Sequence, residues 1–126
     1  MKLSVFLTIV AVVAFIFGIL FILIPGALLS LYGISLSAGG QVVARLFGAA
    51  LLGYSVLTWS ARKAEDSEAR KAIIFALFVG ETLGFVVALI AQLAGVANAL
   101  GWATVVIYFL LALGFCYFQF RKQSAA

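Results

Sequence analysis

The chain has no histidine, and only one cysteine, one proline and four acidic residues among its 126. Without histidine, haem ligation through imidazole, imidazole metal sites and Ser-His-Asp catalysis are unavailable. A single thiol, Cys116, excludes an internal disulfide, a CxxC redox pair and a Cys-rich metal site. Cys116 itself reads as a small apolar filler. Lysine is missing from the apolar stretches. Lys2, Lys63, Lys71 and Lys122 all sit at segment ends, so none is placed to hold an aldehyde cofactor as a Schiff base. Charge of either sign is scarce: 10% of residues carry it, against about a quarter in soluble domains. Such a chain cannot cover its surface with polar side chains, and lipid rather than water is its expected solvent.

What is present is apolar length. Hydrophobic residues make up 67% of the sequence, and a hydrocarbon layer about 30 Å thick needs ~20 of them in helical form. Four runs qualify, at about residues 3–24, 41–61, 71–93 and 101–120. The first ends at Pro25-Gly26, and its length exceeds the roughly 7–15 residues of a signal-peptide core. The expected fold is all-α, a four-transmembrane-helix bundle forming one membrane domain over residues 1–126.

The placement of positive charge orients the bundle, because Lys and Arg in short flanking loops stay on the cytoplasmic side. Lys2, Arg62, Lys63, Arg70, Lys71, Arg121 and Lys122 all flank one side of a four-span chain, while the loops at 26–40 and 95–100 carry no charge. This accounts for the net charge of +4 without nucleic acid, and it predicts an inner-membrane protein with both termini cytoplasmic. Trp59 and Tyr117 then fall near the inner interface, Tyr32 and Trp102 near the outer one.

The turn "ARKAEDSEARKA" has the signs that helix dipoles favour: Arg62 and Lys63 after span two, Asp66, Ser67 and Glu68 before span three. Asp66 or Ser67 is the expected cap. On the other side, "PGALLSLYGISLSAGGQ" suits a short interfacial helix through Leu28, Leu29, Leu31 and Tyr32, ended by Gly33, with Gly39-Gly40 breaking the chain before span two.

Lipid-embedded helices associate by close packing, so small residues mark contact faces. Gly48, Ala49 and Gly53 in span two, and Gly80, Gly84 and Ala88 in span three, predict that these two spans cross closely. Span one, almost wholly apolar, is expected to face lipid over much of its surface.

Two ionisable residues lie inside the apolar runs, which by default marks a site. At 100° per residue, Glu81, Ala88 and Gln92 form one polar line on span three, and Arg45 shares a face with Gly48 and Leu52. Counted at ~1.5 Å per residue, Glu81 is about 15 Å from the cytoplasmic end and Arg45 about 25 Å. Two arrangements stay open: an Arg45–Glu81 pair, or an Arg45 that snorkels outward towards lipid phosphate or Gln92 while Glu81, as a neutral acid, hydrogen-bonds another helix. Tyr54, Thr58, Thr104 and Tyr108 are the available partners, with Tyr54 and Tyr108 nearest in depth.

The stretch "VARLFGAALLGYSVLTW", following "FILIPGALLSLYG", resembles bacterial four-helix membrane families of unknown function. The resemblance implies the layout of the chain and no activity. The chain is also similar to small multidrug transporters in length and span count, but residues 3–24 contain none of the acid those proteins need there, and the polar pore motifs of fluoride channels are missing.

The expected function is therefore a non-catalytic bundle that assembles with itself or serves as an accessory subunit of a membrane complex. The alternative is a small oligomeric transporter or channel using Glu81 as a proton or cation site, with Arg45, Gln92 and Tyr108 along the path. Paired acids, metal ligands and nucleophile–base spacings are missing, so no catalytic residue, cofactor or metal is expected.

Overall fold

The computed structural model describes residues 1–121. They form five helices, α1 (Leu3–Leu23), α2 (Pro25–Ser30), α3 (Ala38–Ala61), α4 (Glu68–Leu93) and α5 (Gly101–Phe120), and no strand among the described residues. Four of these, α1, α3, α4 and α5, are long and apolar enough to cross a membrane. Lys122, one of the expected flanking charges, lies outside the described residues.

Helix starts follow their caps more closely than their hydropathy. The Ser37 side chain accepts from the Gly40 amide, so α3 begins at Ala38. Gly39 and Gly40 are thus carried in its first turn and do not break the chain. Likewise Ser67, and not Asp66, caps α4 by accepting from the Arg70 amide. Each cap satisfies one of the amides a helix start leaves unpaired, and so gains a turn that hydropathy alone would assign to the loop. Pro25 opens α2, where its missing N–H costs nothing. Gly33 ends that excursion at φ +75, a conformation glycine adopts freely.

The long helices pair as two antiparallel hairpins, α1 along α3 and α4 along α5, with few contacts between the hairpins. This corrects the expectation that spans two and three cross closely. The glycines of α3 and α4 do mark close approaches, but towards other helices. A Cβ on Gly48 would lie 2.8 Å from the Gly18 carbonyl oxygen of α1, so backbone-to-backbone contact requires glycine on both sides. Gly84 gives its space to the Tyr108 ring on α5. Gly53 and Gly80 have nothing within 4 Å, and both face outward. A hydroxyl pins the first hairpin, since Ser55 Oγ donates to the Ala11 carbonyl at 2.6 Å.

Helix α1 is the most buried of the four, though Val5, Ile9, Val12, Phe15 and Ile16 still face outward. Its face Phe6, Leu7, Val10, Ala11, Ala14 and Gly18 is buried, because a smooth apolar surface with one glycine is what α3 needs to pack against. Phe6, Leu7 and Val10 join Ala61, Ile74, Leu77 and Phe115 in a cluster to which all four long helices contribute. This cluster closes the assembly at the end that holds the N-terminus. Outward faces are apolar: Val42, Val87 and Ile90, for example, are 57%, 67% and 63% exposed.

Candidate functional site

Closed at one end by that cluster, the two hairpins stay apart along the rest of their length and leave a cavity of about 280 Å³ between them. Each long helix supplies part of the wall. Val10, Val13, Ala14, Phe17 and Phe21 from α1 share one helical stripe, and α3 adds Phe47, Leu51 and Tyr54. The α4 wall holds Glu81, Ala88, Ala91 and Gln92; the α5 wall holds Gly101, Thr104, Ile107, Tyr108 and Leu111. Leu29, Tyr32 and Ile34 after α1, with Val96 and Ala97 after α4, close the far end.

That closure is hydrogen-bonded. The Asn98 amide donates to the Tyr32 carbonyl at 2.9 Å, and Asn98 Nδ2 donates to the Leu31 carbonyl at 3.0 Å. Asn98 Oδ1 in turn accepts from the Leu100 amide at 3.0 Å. One side chain therefore joins the two far loops. Gln92 stiffens the same corner by donating from Nε2 to the Asn98 carbonyl at 3.0 Å.

The polar focus of the cavity is a pair of side chains from opposite hairpins. Ser55 faces α1, which turns its neighbour Tyr54 across the assembly towards α4. There Tyr54 Oη donates to Glu81 Oε1 at 2.7 Å. Glu81 is 7% exposed, and its other oxygen, Oε2, is buried without a hydrogen-bond partner. Among the described residues this is the only side-chain hydrogen bond that joins the two hairpins within their long helices. Tyr108, seated against Gly84, lines the cavity beside this pair.

Of the residues grouped by helical periodicity, Glu81, Ala88 and Gln92 share the cavity wall, and Tyr54 and Tyr108 meet them there. Ala88 is a wall residue, because α4 packs along α5 and leaves the cavity between this face and α3. Arg45 is not among them. It is exposed on α3, and its Nε donates to the Ile22 carbonyl at 3.2 Å. That carbonyl belongs to the last turn of α1, which has no partner within its own helix and carries the negative end of the dipole. The guanidinium completes a helix terminus, and no Arg45–Glu81 ion pair forms. Thr58 is occupied by its own helix, donating to the Tyr54 carbonyl at 3.0 Å.

The cavity itself was not anticipated, nor were Phe17, Phe21, Tyr32 and Asn98. A signal existed for the first two, since residues 10, 13, 14, 17 and 21 repeat at helical spacing. Asn98 stood out only as the single polar side chain of its loop.

A model of the family described as a domain of unknown function (DUF8292) matches residues 1–121. The chain belongs to that family. No curated protein and no solved structure matches it. For this DUF8292 protein the site must therefore be read from its own chemistry. No lysine or arginine lines the cavity, and Glu81 is its only carboxyl group. No cluster of three or more His, Cys, Asp or Glu is gathered among the described residues. Seven further charged residues, Arg62, Lys63, Glu65, Asp66, Glu68, Arg70 and Lys71, gather at the α3–α4 turn, where Arg70 pairs with Asp66 at 3.3 Å and Lys71 with Glu68 at 3.2 Å. Cys116 is half-buried on α5 and does not line the cavity.

Proposed function

We propose that this chain is a non-catalytic integral membrane protein that binds a small, largely apolar molecule between its two hairpins. The observation that carries this reading is the cavity of about 280 Å³ with apolar walls and one polar corner. Ligand sites combine these features: predominantly apolar lining and a few placed polar groups that fix orientation. An apolar cavity of about 150 Å³ accepts benzene, so the space here suits a two-ring molecule or a comparable length of chain. In a bilayer the outward apolar faces would meet lipid, and the flanking charges favour an orientation with both termini in the cytoplasm. A ligand would then enter from the membrane. The transport alternative keeps its residue, Glu81, but no longer needs an oligomer to provide space.

Saturable binding of 1-methylnaphthalene to the full-length protein in lipid nanodiscs tests the reading. Binding above the lipid background is expected, and Ala88→Phe, which puts a ring into the cavity, should abolish it. Partitioning identical to that of empty nanodiscs would refute it.

A second reading, self-association or docking onto another membrane subunit, has its own support. Ala72, Ala76 and Gly80 form an exposed small-residue row on α4, where a neighbouring helix could approach closely. Dimers that survive in nanodiscs and are lost on Gly80→Leu would favour it; a monomer at all protein-to-lipid ratios would exclude it.

A further inference from the structure

The Glu81 corner of the cavity holds acceptors and no cation, and this narrows what it can hold. Glu81 Oε2 is a buried acceptor with no donor. The Tyr54 hydroxyl has already given its proton to Oε1, so at that corner it too can offer only lone pairs. No lysine or arginine lines the space, and the nearest intramembrane cation, Arg45, is committed to the Ile22 carbonyl. Around the same space stand Phe17, Phe21, Phe47, Tyr32, Tyr54 and Tyr108. Aromatic faces carry the negative part of the ring quadrupole and attract cations within about 6 Å. Acceptors, π faces and an acid without a basic neighbour are all complementary to positive charge.

We infer that the cavity takes a lipophilic amine in its ammonium form, the charged group seated against the Glu81 carboxyl group and the apolar body filling the space towards Asn98. The inference rests on the reading of the cavity as a binding site, and narrows it to one ligand class. A neutral alcohol of the same shape could also donate to the carboxyl group, but it brings no positive charge to it. An ammonium group supplies both. The size agrees, since a two-ring body with a one-carbon arm fits the volume that the apolar walls enclose.

The test compares 1-naphthylmethylammonium with 1-naphthylmethanol, two probes of nearly equal shape, binding to the full-length protein in zwitterionic nanodiscs. The naphthalene fluorescence reports binding, and empty discs provide the blank. The ammonium probe should bind at least about tenfold tighter than the alcohol. Glu81→Gln should erase that preference, bringing the two affinities to within about threefold of each other. Equal or tighter binding of the alcohol to the unmodified protein would overturn the amine inference and leave the apolar site standing. A preference that survives in Glu81→Gln would overturn it too, since the cation would then be held elsewhere. Failure of both probes, with 1-methylnaphthalene also unbound, would remove the site itself. Should Glu81→Gln not fold, as judged by circular dichroism and gel filtration, Ala88→Phe replaces it: loss of ammonium binding supports the site, and unchanged binding overturns it.

Discussion

Replacing Tyr54 with phenylalanine removes a single oxygen and tests the bond that spans the hairpins. The ring still fits, but Glu81 Oε1 loses its donor, and both carboxyl oxygens then lie buried without partners. Interhelical hydrogen bonds in membrane proteins average about 0.6 kcal/mol and reach about 1.7. Leaving a buried polar group unsatisfied costs a further ~1–3 kcal/mol. Tyr54→Phe should therefore lose about 2–4 kcal/mol. The sharper prediction concerns the double variant Tyr54→Phe/Glu81→Met. It replaces both polar partners with apolar groups of similar size, strands nothing, and should come back to within about 1 kcal/mol of the native protein. The second substitution thus rescues the first, a sign that additive packing losses cannot produce. Unfolding in mixed micelles titrated with dodecyl sulfate, followed by the fluorescence of Trp59 and Trp102, measures all four members of the cycle. A Tyr54→Phe protein within about 0.5 kcal/mol of native, or a double variant less stable than Tyr54→Phe alone, would refute the reasoning.

Two glycines on one helix should behave oppositely. A Cβ at Gly84 would overlap the Tyr108 ring, so Gly84→Ala should cost about 1–3 kcal/mol. Gly80→Ala meets nothing within 4 Å and should gain up to about 1 kcal/mol from helix propensity. The same unfolding titration separates them. Asn98→Ala removes the side-chain tie between the far loops, and hydrogen exchange at residues 31–36 and 95–101 should accelerate while the amides of the long helices keep their protection. Arg45→Ala should destabilise by about 1 kcal/mol, through the lost cap on α1, without changing the coupling between Tyr54 and Glu81. A changed coupling would show that Arg45 and Glu81 interact after all.

How much could be read in advance depended on whether a residue's meaning is local. The four apolar runs were legible because length and hydropathy are properties of one segment. Their first turns were less so, since Ser37 and Ser67 extend α3 and α4 by capping, and that gain hides in loop-like composition. Partnership was not legible. Gly48 and Gly84 each have a close neighbour, but a glycine says that something approaches and not which helix does. Gly53 and Gly80 are chemically identical and face outward. The polar line of Glu81, Ala88 and Gln92 follows from helical periodicity, and of the two tyrosines nearest in depth Tyr54 is the one that reaches Glu81. Arg45 misled because depth counted along one helix ignores the neighbour's end: the Ile22 carbonyl was within its reach. The cavity belongs to no segment. It exists because two well-packed hairpins pack on each other where Phe6, Leu7 and Phe115 meet, are tied again by Asn98 at the far loops, and stand apart between these ends.

Nuclear Overhauser contacts between bound 1-methylnaphthalene and a methyl-labelled sample of this protein in nanodiscs test most directly whether a small molecule occupies that space. The account predicts contacts to Val13, Ala88, Thr104 and Ile107 on the cavity wall that exceed the lipid-borne contacts to Val42 and Val87 on the outward faces. Contacts spread over Val42 and Val87, with the wall methyls silent, would contradict it.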